Sequence, residues 1–195
     1  MIEIRWHGRG GQGAKTGAHL FAMAELESGR SVQAFPEFGP ERSGAPVQAY
    51  DRVDGRPIRR RDAVTTPDAV VVLDPSLLRE VAVTAGLRPG GLLLVNTDRS
   101  PEDIRAQLGV GGTVLCVPGN SLAAEVGGRH ANVVLLGALA AALGEPPLSV
   151  LEQAASDLLG EKLGPAALEP ALASLATGYR YLAGEDAGRR VACLA

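Results

Sequence analysis

Cysteine is scarce in this chain of 195 residues, which contains only Cys116 and Cys193. Two thiols cannot build the disulfide framework of a small secreted protein, and they match no zinc-binding pattern. Because an ordinary iron–sulfur cluster takes about four cysteine ligands, we do not expect the chain to hold one of its own. Cys116 lies in an apolar run and is interpreted as a buried core residue.

Long hydrophobic runs and a strong net charge are also missing, and aromatic residues make up only 4% of the chain. The longest apolar stretch, Val133–Leu143, has 11 residues, whereas a membrane-spanning helix needs about 20. It predicts a helix buried on all sides. The formal net charge of -3 and the absence of a signal peptide lead us to expect no nucleic-acid or membrane partner and a cytoplasmic location.

The sequence does contain an alternation of strand and helix patterns. Continuous apolar runs such as Ala69–Leu73 are typical of strands buried on both faces of a parallel sheet. The predicted strands are Ile2–Trp6, Ser31–Phe35, Val47–Val53, Ala69–Leu73, Gly91–Val95 and Thr113–Val117. The predicted helices are a first helix from Ala14 to Gly29, Leu77–Ala85, Pro101–Leu108, a short helix to Val126, Val133–Leu143 capped by Asn132, Ser149–Leu159, and Leu168–Tyr181 with Pro170 in its first turn.

Strands that alternate with helices imply a mostly parallel sheet with right-handed crossovers. We therefore predict an α/β fold: a single Rossmann-like domain over residues 1–183, with helices flanking the sheet and a helical C-terminal third. Residues 184–195 are predicted to form a polar tail. The stretch Pro36–Pro46 carries three prolines and two glycines, so it predicts a long loop of the kind that is often functional.

A glycine-rich motif, H-G-R-G-G-Q-G at His7–Gly13, lies between the first predicted strand and the first helix. Gly8, Gly10 and Gly13 match G-x-G-x-x-G, in which glycines let the backbone approach an anion at a helix N-terminus. An NAD site requires an acidic residue at the end of the second strand, and the second strand here does not end in one. The glycines are not followed by G-K-[ST], so the motif is not a P-loop either. A tight turn that only lets the first helix pack on the sheet stays open as the structural alternative.

The glycine motif joined to Q-A-F-P-E-F-G-P-E-R-S-G-A-P, at Gln33–Pro46, is far more specific than either motif alone. Together they resemble the gamma subunit, or gamma domain, of pyruvate and related 2-oxoacid:ferredoxin oxidoreductases. The stretches R-P-I at Arg56–Ile58, P-D-A-V-V-V-L-D at Pro67–Asp74 and A-N-V-V-L-L-G-A-L at Ala131–Leu139 agree with the same family. The resemblance covers about residues 1–182 in order.

That family decarboxylates a 2-oxoacid on thiamine diphosphate with Mg²⁺, passes electrons through iron–sulfur clusters to ferredoxin and captures the acyl group with coenzyme A. The resemblance implies that this chain is a non-autonomous gamma subunit among alpha-, beta- and delta (ferredoxin-like)-type partners. It also implies that the other subunits hold the thiamine diphosphate and the clusters, while the gamma module contributes to coenzyme A binding and active-site closure. We expect no cofactor bound wholly by this chain, no catalytic residue and no metal ligand in it.

Candidate coenzyme A contacts are Gly8, Arg9, Gly10, Gly11, Gln12, Gly13 and Arg42. Either arginine could grip a phosphate bidentately, with a salt bridge or subunit contact as the alternative. Gln12 could instead bond the loop's own backbone, and His7 is interpreted as structural. The basic cluster of Arg56 and Arg59–Arg61 is interpreted as a solvated face, or alternatively as an attraction for the 3′-phosphate of coenzyme A or an acidic ferredoxin.

Two other functions stay open at this point. A stand-alone Rossmann nucleotide-binding dehydrogenase is disfavoured by the missing acidic residue and the missing substrate domain. An indolepyruvate oxidoreductase small subunit is a nearer alternative, although F-P-E-F-G-P-E-R looks more like the pyruvate/ketoisovalerate branch. The apolar stretch Val133–Leu143 and the Pro36–Pro46 loop also predict surface that partner subunits cover, and hence an obligate hetero-oligomer.

Overall fold

The computed structural model describes residues 1–37 and 44–185. Its strands are β1 (Ile2–Arg9), β2 (Ser31–Pro36), β3 (Pro46–Asp54), β4 (Ala69–Val72), β5 (Leu92–Asn96) and β6 (Thr113–Val117). Its helices are α1 (Ala14–Glu27), α2 (Leu77–Glu80), α3 (Pro101–Leu108), α4 (Gly119–Glu125), α5 (Ala131–Leu143), α6 (Leu148–Gly160) and α7 (Pro165–Glu185). Every strand predicted from the sequence is present, with its ends shifted by three residues at most.

The six strands form one sheet in the order β2-β3-β1-β4-β5-β6. Strand β3 is antiparallel to both of its neighbours, whereas β1, β4, β5 and β6 pair in parallel. In the parallel part of the sheet, Ile4 of β1 lies opposite Ala69 of β4, and Ala69 lies opposite Leu92 of β5. This mostly parallel sheet, flanked by helices and followed by a helical C-terminal region, confirms the predicted α/β fold class.

The larger core lies on the sheet face that α1, α5, α6 and α7 cover. At its centre, Trp6 of β1 and Phe21 of α1 are fully buried. Twelve of the 13 residues of α5 are also buried, because neighbouring helices surround it. Burial of this helix on all sides is confirmed, but the idea that it offers surface to partner subunits is wrong, since its own chain covers it.

Helices α5 and α7 cross with their backbones in contact. A Cβ atom added at Gly137 of α5 would lie 2.0 Å from the carbonyl oxygen of Leu175, and one added at Gly178 of α7 would lie 2.0 Å from that of Val134. Glycine therefore allows each helix to approach the other more closely than any side chain would permit. This close contact with α7 buries α5 in the centre of the domain.

The opposite sheet face is divided into an apolar and a polar half. Under α3, Val72, Leu93 and Ile104 belong to a second, smaller apolar cluster. On the β1 side the face is polar, and the buried guanidinium of Arg5 donates from Nη2 to the carbonyl oxygens of Val83 and Ala85, at 2.9 Å and 2.6 Å. The carbonyl groups of the segment after α2 accept hydrogen bonds from a buried arginine instead of from helical N–H groups. This segment is therefore irregular.

Three details of the predicted helices are wrong. The helix expected over Leu77–Ala85 ends at Glu80, since Val81 adopts an extended conformation with φ -133° and ψ 153°. Helix α5 begins at Ala131, and Asn132 lies inside it instead of capping it. Helix α7 begins at Pro165, so Pro170 lies inside the helix beyond its first turn.

Within residues 1–37 and 44–185, no helix combines the length and the apolar character that crossing a membrane requires. Cys116, expected in the core, is half-buried against the smaller apolar cluster. Burial raises the pKa of its thiol to about 11, so the side chain is a neutral thiol at physiological pH.

Candidate functional site

The glycine loop, residues 8–13, lies where the chain connectivity of the sheet reverses. From β1 the chain passes through α1 to β2 and β3 on one side, whereas β4, β5 and β6 extend the sheet on the other. In open α/β sheets such a reversal leaves a crevice outside the carboxyl ends of the strands, and ligands bind there. The loop that follows β1 and the residues that follow β4 border this crevice.

Two glycines of the loop have backbone conformations that other residues rarely adopt. Gly11 has φ +95° and Gly13 has φ +83°, both in the left-handed region. Gly13 is also confined, because a Cβ atom there would lie 2.3 Å from the side-chain nitrogen of Asn132. That Asn132 amide donates to the Gly13 carbonyl oxygen at 3.3 Å, which ties the start of α1 to the first turn of α5.

The N-terminus of α1 carries no side-chain cap. Its first-turn N–H groups, at Ala14, Lys15 and Thr16, have no acceptor within the helix, as is general for helix N-termini. No acidic residue lies in this first turn. An anion placed here would meet N–H donors that have no acceptor within the helix, and the positive end of the helix dipole.

The N–H group of Gly10 is less available than the sequence suggested. It donates to the carbonyl oxygen of Ala45 at 2.9 Å, and its own carbonyl oxygen accepts from Gly44 at 3.3 Å. These bonds continue the β1–β3 pairing by one residue. Gly8 acts through packing, since a Cβ atom there would lie 3.3 Å from both Ala14 and Leu73.

A carboxylate that the sequence analysis did not single out, Asp74, holds the loop in place. Its Oδ2 accepts from Arg9 Nε at 3.2 Å and from Gln12 Nε2 at 2.7 Å, and its Oδ1 accepts from Ser76. Although burial opposes it, hydrogen bonds from Ser76 and Gln12 and the charge of Arg9 hold the pKa of Asp74 below its usual range. Asp74 is therefore ionised across the physiological pH range.

Both polar side chains of the loop are engaged inside the chain. Gln12 Oε1 accepts from the backbone N–H of Arg9 at 2.8 Å, so Gln12 bonds the loop's own backbone, as one of the two sequence hypotheses expected. Arg9 also donates from Nη2 to Ser76 Oγ at 2.6 Å and to Glu80 Oε1 at 2.5 Å. Nη1 also donates to the Gly44 carbonyl oxygen at 3.2 Å, so Arg9 would have to give up one of these acceptors to bind a phosphate bidentately. Arg42 lies outside the described residues.

Beside the loop lies a cleft of about 550 Å³, called here the glycine-loop cleft. Gly10, Gly11, Gly13 and the first turn of α1 line the cleft, together with Pro36, Glu37 and Gln48. The uncapped helix terminus therefore opens onto a space large enough for part of a nucleotide-sized ligand.

A second, polar cleft of about 260 Å³ lies between the ends of β4 and β5 and the start of α5. Its lining includes Asp74, Asn96, Arg129 and His130. Asn96 is buried, donates to the Leu73 carbonyl oxygen and accepts from the Gly119 N–H, both at 2.9 Å. The polar residues that end two apolar strands, in V-V-V-L-D and L-L-L-V-N, were the sequence signal for Asp74 and Asn96.

The buried histidine, His7, is neutral and hydrogen-bonded inside the chain. Burial, together with the charge of Arg5, lowers the pKa of His7 to about 4, and its Nε2 accepts from Arg5 Nε at 3.0 Å. A neutral, buried acceptor of this kind agrees with the structural role predicted for His7. In the part of the chain that the structure describes, no group of three His, Cys, Asp or Glu residues could hold a metal ion.

The fold and this site define the class of protein: a Rossmann-like α/β chain with an uncapped helix terminus over a cleft at the reversal of the sheet. The family model described as pyruvate ferredoxin/flavodoxin oxidoreductase matches residues 3–181, and the chain belongs to that family. A relative named pyruvate/ketoisovalerate oxidoreductases common subunit gamma, from Thermococcus kodakarensis, is 48% identical over 175 residues, which are 87% of this chain and 95% of the relative. The pyruvate synthase subunit PorC of Thermotoga maritima is 42% identical over 179 residues, or 91% and 93% of the two chains.

Solved structures agree with the fold. The pyruvate oxidoreductase subunit PORC of Thermotoga maritima superposes with a TM-score of 0.78 at 38% identity, over 92% of this chain and 95% of that one. A 2-oxoglutarate:ferredoxin oxidoreductase from Magnetococcus marinus, solved with 2-oxoglutarate, coenzyme A and succinyl-CoA, has a TM-score of 0.74 at 24% identity. The match covers 94% of this chain but 31% of that longer chain, and at this identity it shows the fold alone.

Proposed function

We propose that this chain is the gamma subunit of a cytoplasmic, thiamine-diphosphate-dependent 2-oxoacid:ferredoxin oxidoreductase and contributes to binding coenzyme A. Two kinds of match support the proposal: curated relatives of nearly the same length are named as gamma or PorC subunits, and a larger protein containing this fold has been solved with coenzyme A. The stand-alone dehydrogenase and the indolepyruvate subunit are not favoured, because the relatives named above belong to pyruvate and ketoisovalerate enzymes.

The uncapped N-terminus of α1, open to the glycine-loop cleft, is the observation that carries the coenzyme A assignment. The diphosphate of coenzyme A would accept from first-turn N–H groups and lie at the positive end of the helix dipole. Gly11, at which a Cβ atom would meet nothing within 4 Å, leaves the approach free of a side chain, while Asp74 fixes the loop from behind. Arg42, outside the described residues, stays a sequence-based candidate for the same phosphates.

Under this proposal the remaining chemistry belongs to the partners. Thiamine diphosphate with Mg²⁺ would lie between alpha- and beta-type subunits, and the iron–sulfur clusters on a delta-type subunit that delivers electrons to ferredoxin. An ordinary iron–sulfur cluster takes about four cysteine thiolates, and this chain, with two cysteines in its whole sequence, cannot supply them by itself. Its own residues would bind and orient coenzyme A, which captures the acyl group formed elsewhere.

A matched pair of substitutions at Gly11 tests the site in the assembled complex. A Cβ atom there meets nothing within 4 Å, and Asn and Asp tolerate positive φ best among residues other than glycine. Gly11→Asp places a carboxylate at the cleft, whereas Gly11→Asn changes the shape almost equally without the charge. We expect Gly11→Asp to raise KM for coenzyme A roughly tenfold above that of Gly11→Asn, because the carboxylate repels the phosphates.

The 2-oxoacid serves as the internal control. Its KM, and the decarboxylation step measured without coenzyme A, should be the same in both variants, since neither involves the glycine-loop cleft. Equal KM values for coenzyme A in Gly11→Asp and Gly11→Asn would show that no phosphate binds near α1.

A further inference from the structure

A third pocket, of about 330 Å³, lies between α1, the end of β2 and the C-terminal end of α6. The chain has only two lysines, Lys15 and Lys162, and both line this pocket although 147 positions separate them in the sequence. His19 joins them. We call this space the lysine pocket.

The lysine pocket combines an apolar floor with a cationic rim. Ala18, Ala49 and Leu158 are among the residues of the floor, and no acidic residue is among the described residues that line it. In the described ranges neither lysine forms an ion pair. Unpaired cations around an apolar floor fit a ligand with a flat, apolar body and a phosphate at its edge.

The lysine pocket is continuous with the glycine-loop cleft. Lys15, Thr16 and Pro36 line both spaces. Lys15 and His19 are four residues apart on α1, so their side chains lie on one helix face, roughly 6 Å apart along the axis. A ligand whose diphosphate lies at the start of α1 would therefore meet the Lys15 ammonium and, one helical turn away, the His19 imidazole.

We propose that the lysine pocket binds the adenosine 3′-phosphate end of coenzyme A and that Lys162 determines specificity for the 3′-phosphate. The inference rests on the proposed function and adds where the adenosine and the 3′-phosphate of coenzyme A bind. The purine would cover the apolar floor, and the 3′-phosphate, with up to two negative charges, would lie between Lys162 and Lys15. Coenzyme A would thereby be distinguished from analogues that lack this phosphate.

The arginine cluster at Arg56 and Arg59–Arg61 is the competing location for the 3′-phosphate. Arg60 pairs with Asp62 and lies 3.9 Å from Glu3, which is at the start of β1, whereas the glycine loop follows the end of β1. Six residues of strand separate Glu3 from Arg9, or roughly 20 Å. The 3′-phosphate is attached to the same ribose as the diphosphate, so it cannot reach the cluster while the diphosphate lies at α1.

The test compares coenzyme A with 3′-dephospho-coenzyme A by titration calorimetry on the assembled complex. Lys162→Gln removes one charge from the pocket, and Arg59→Gln removes one from the arginine cluster as a matched control. We expect Lys162→Gln to weaken coenzyme A binding about tenfold and to leave the Kd of the dephospho form within twofold of the wild type. Arg59→Gln should leave both Kd values unchanged.

Each other outcome overturns the inference. If Lys162→Gln leaves both Kd values unchanged or weakens both ligands equally, Lys162 does not read the 3′-phosphate. If Arg59→Gln alone changes the ratio of the two Kd values, the 3′-phosphate binds at the arginine cluster. The Gly11 pair of variants distinguishes failure of this inference from failure of the proposed function. If coenzyme A does not bind at the glycine-loop cleft at all, its affinity will also be equal in Gly11→Asp and Gly11→Asn.

Discussion

Replacing Glu25 with glutamine should make the chain more stable above neutral pH. Glu25 lies near the end of α1 with 1% of its surface exposed, and in the described structure neither carboxylate oxygen has a hydrogen-bond partner. Burial, with a further contribution from the charge of Glu145, raises its pKa to about 7. The fully buried carboxyl of Asp51 also has a raised pKa, from burial and partly from the charge of Glu25.

The sign of the effect follows from proton binding. Below the ordinary pKa of 4.5, Glu25 is protonated in both the folded and the unfolded chain, and the group carries no penalty. As the pH rises from there through about 7, the folded chain keeps a proton that the unfolded chain has lost, so the free energy of unfolding falls. Above pH 7 a buried charge without hydrogen-bond partners remains, and the full shift corresponds to about 3 kcal/mol as an upper value.

Glutamine has the same shape as glutamate but never acquires the charge. At pH 8 we expect Glu25→Gln to unfold with a free energy about 1–3 kcal/mol above that of the wild type, and at pH 5 the difference should be below about 1 kcal/mol. Urea unfolding of the full chain, followed by circular dichroism at pH 5, 6, 7 and 8, measures both. Glu27→Gln, on the exposed side of the same helix, is the control and should change stability by less than about 0.5 kcal/mol at every pH. A Glu25→Gln variant that is no more stable than the wild type at pH 8, or whose difference does not vary with pH, would refute the reasoning.

Two further predictions concern packing and the polar cleft. Gly137→Ala should destabilise the chain by about 1–3 kcal/mol in urea unfolding, because its methyl group would meet the Leu175 carbonyl oxygen. Gly160→Ala, where a Cβ atom meets only a side-chain carbon at 3.7 Å, should instead be neutral or stabilise by up to about 1 kcal/mol; equal effects of the two alanines would contradict the close helix contact. Asn96→Ala should lower the free energy of unfolding by about 2–3 kcal/mol, since the Leu73 carbonyl oxygen and the Gly119 N–H group lose their buried hydrogen bonds. A loss below about 0.5 kcal/mol would mean that water replaces the amide.

Local patterns predicted the strands and the place of the glycine loop, whereas tertiary contacts decided the details they missed. The apolar runs around Val71 and Leu94 have one stable arrangement, because only a strand covered on both faces buries every side chain. Asn132 has the side chain of a helix cap, yet its amide donates to Gly13, which is 119 positions away in the sequence. No pattern within a short window of sequence contains that partner.

The site shows the same division. The glycine spacing predicted a sharp turn that leads into the N-terminus of the first helix, because this turn depends on residues adjacent in the chain. The engagement of Arg9 could not be predicted, since its acceptors, Asp74 and Glu80, follow a different strand. The lysine pocket is likewise invisible in the sequence until α6 is placed against α1, which brings Lys162 beside Lys15.

The enclosed position of α5 affects the order in which the chain can fold during synthesis. The strands β1 to β6 are complete once residue 117 has been made, but the helix that covers the centre of their larger apolar face begins at Ala131. Helix α7, which ends at Glu185, packs most extensively on α5. Until α5 and α7 have been made, only α1 is available to cover this face in a nascent chain, so folding of the larger core has to wait for α7 to leave the ribosome.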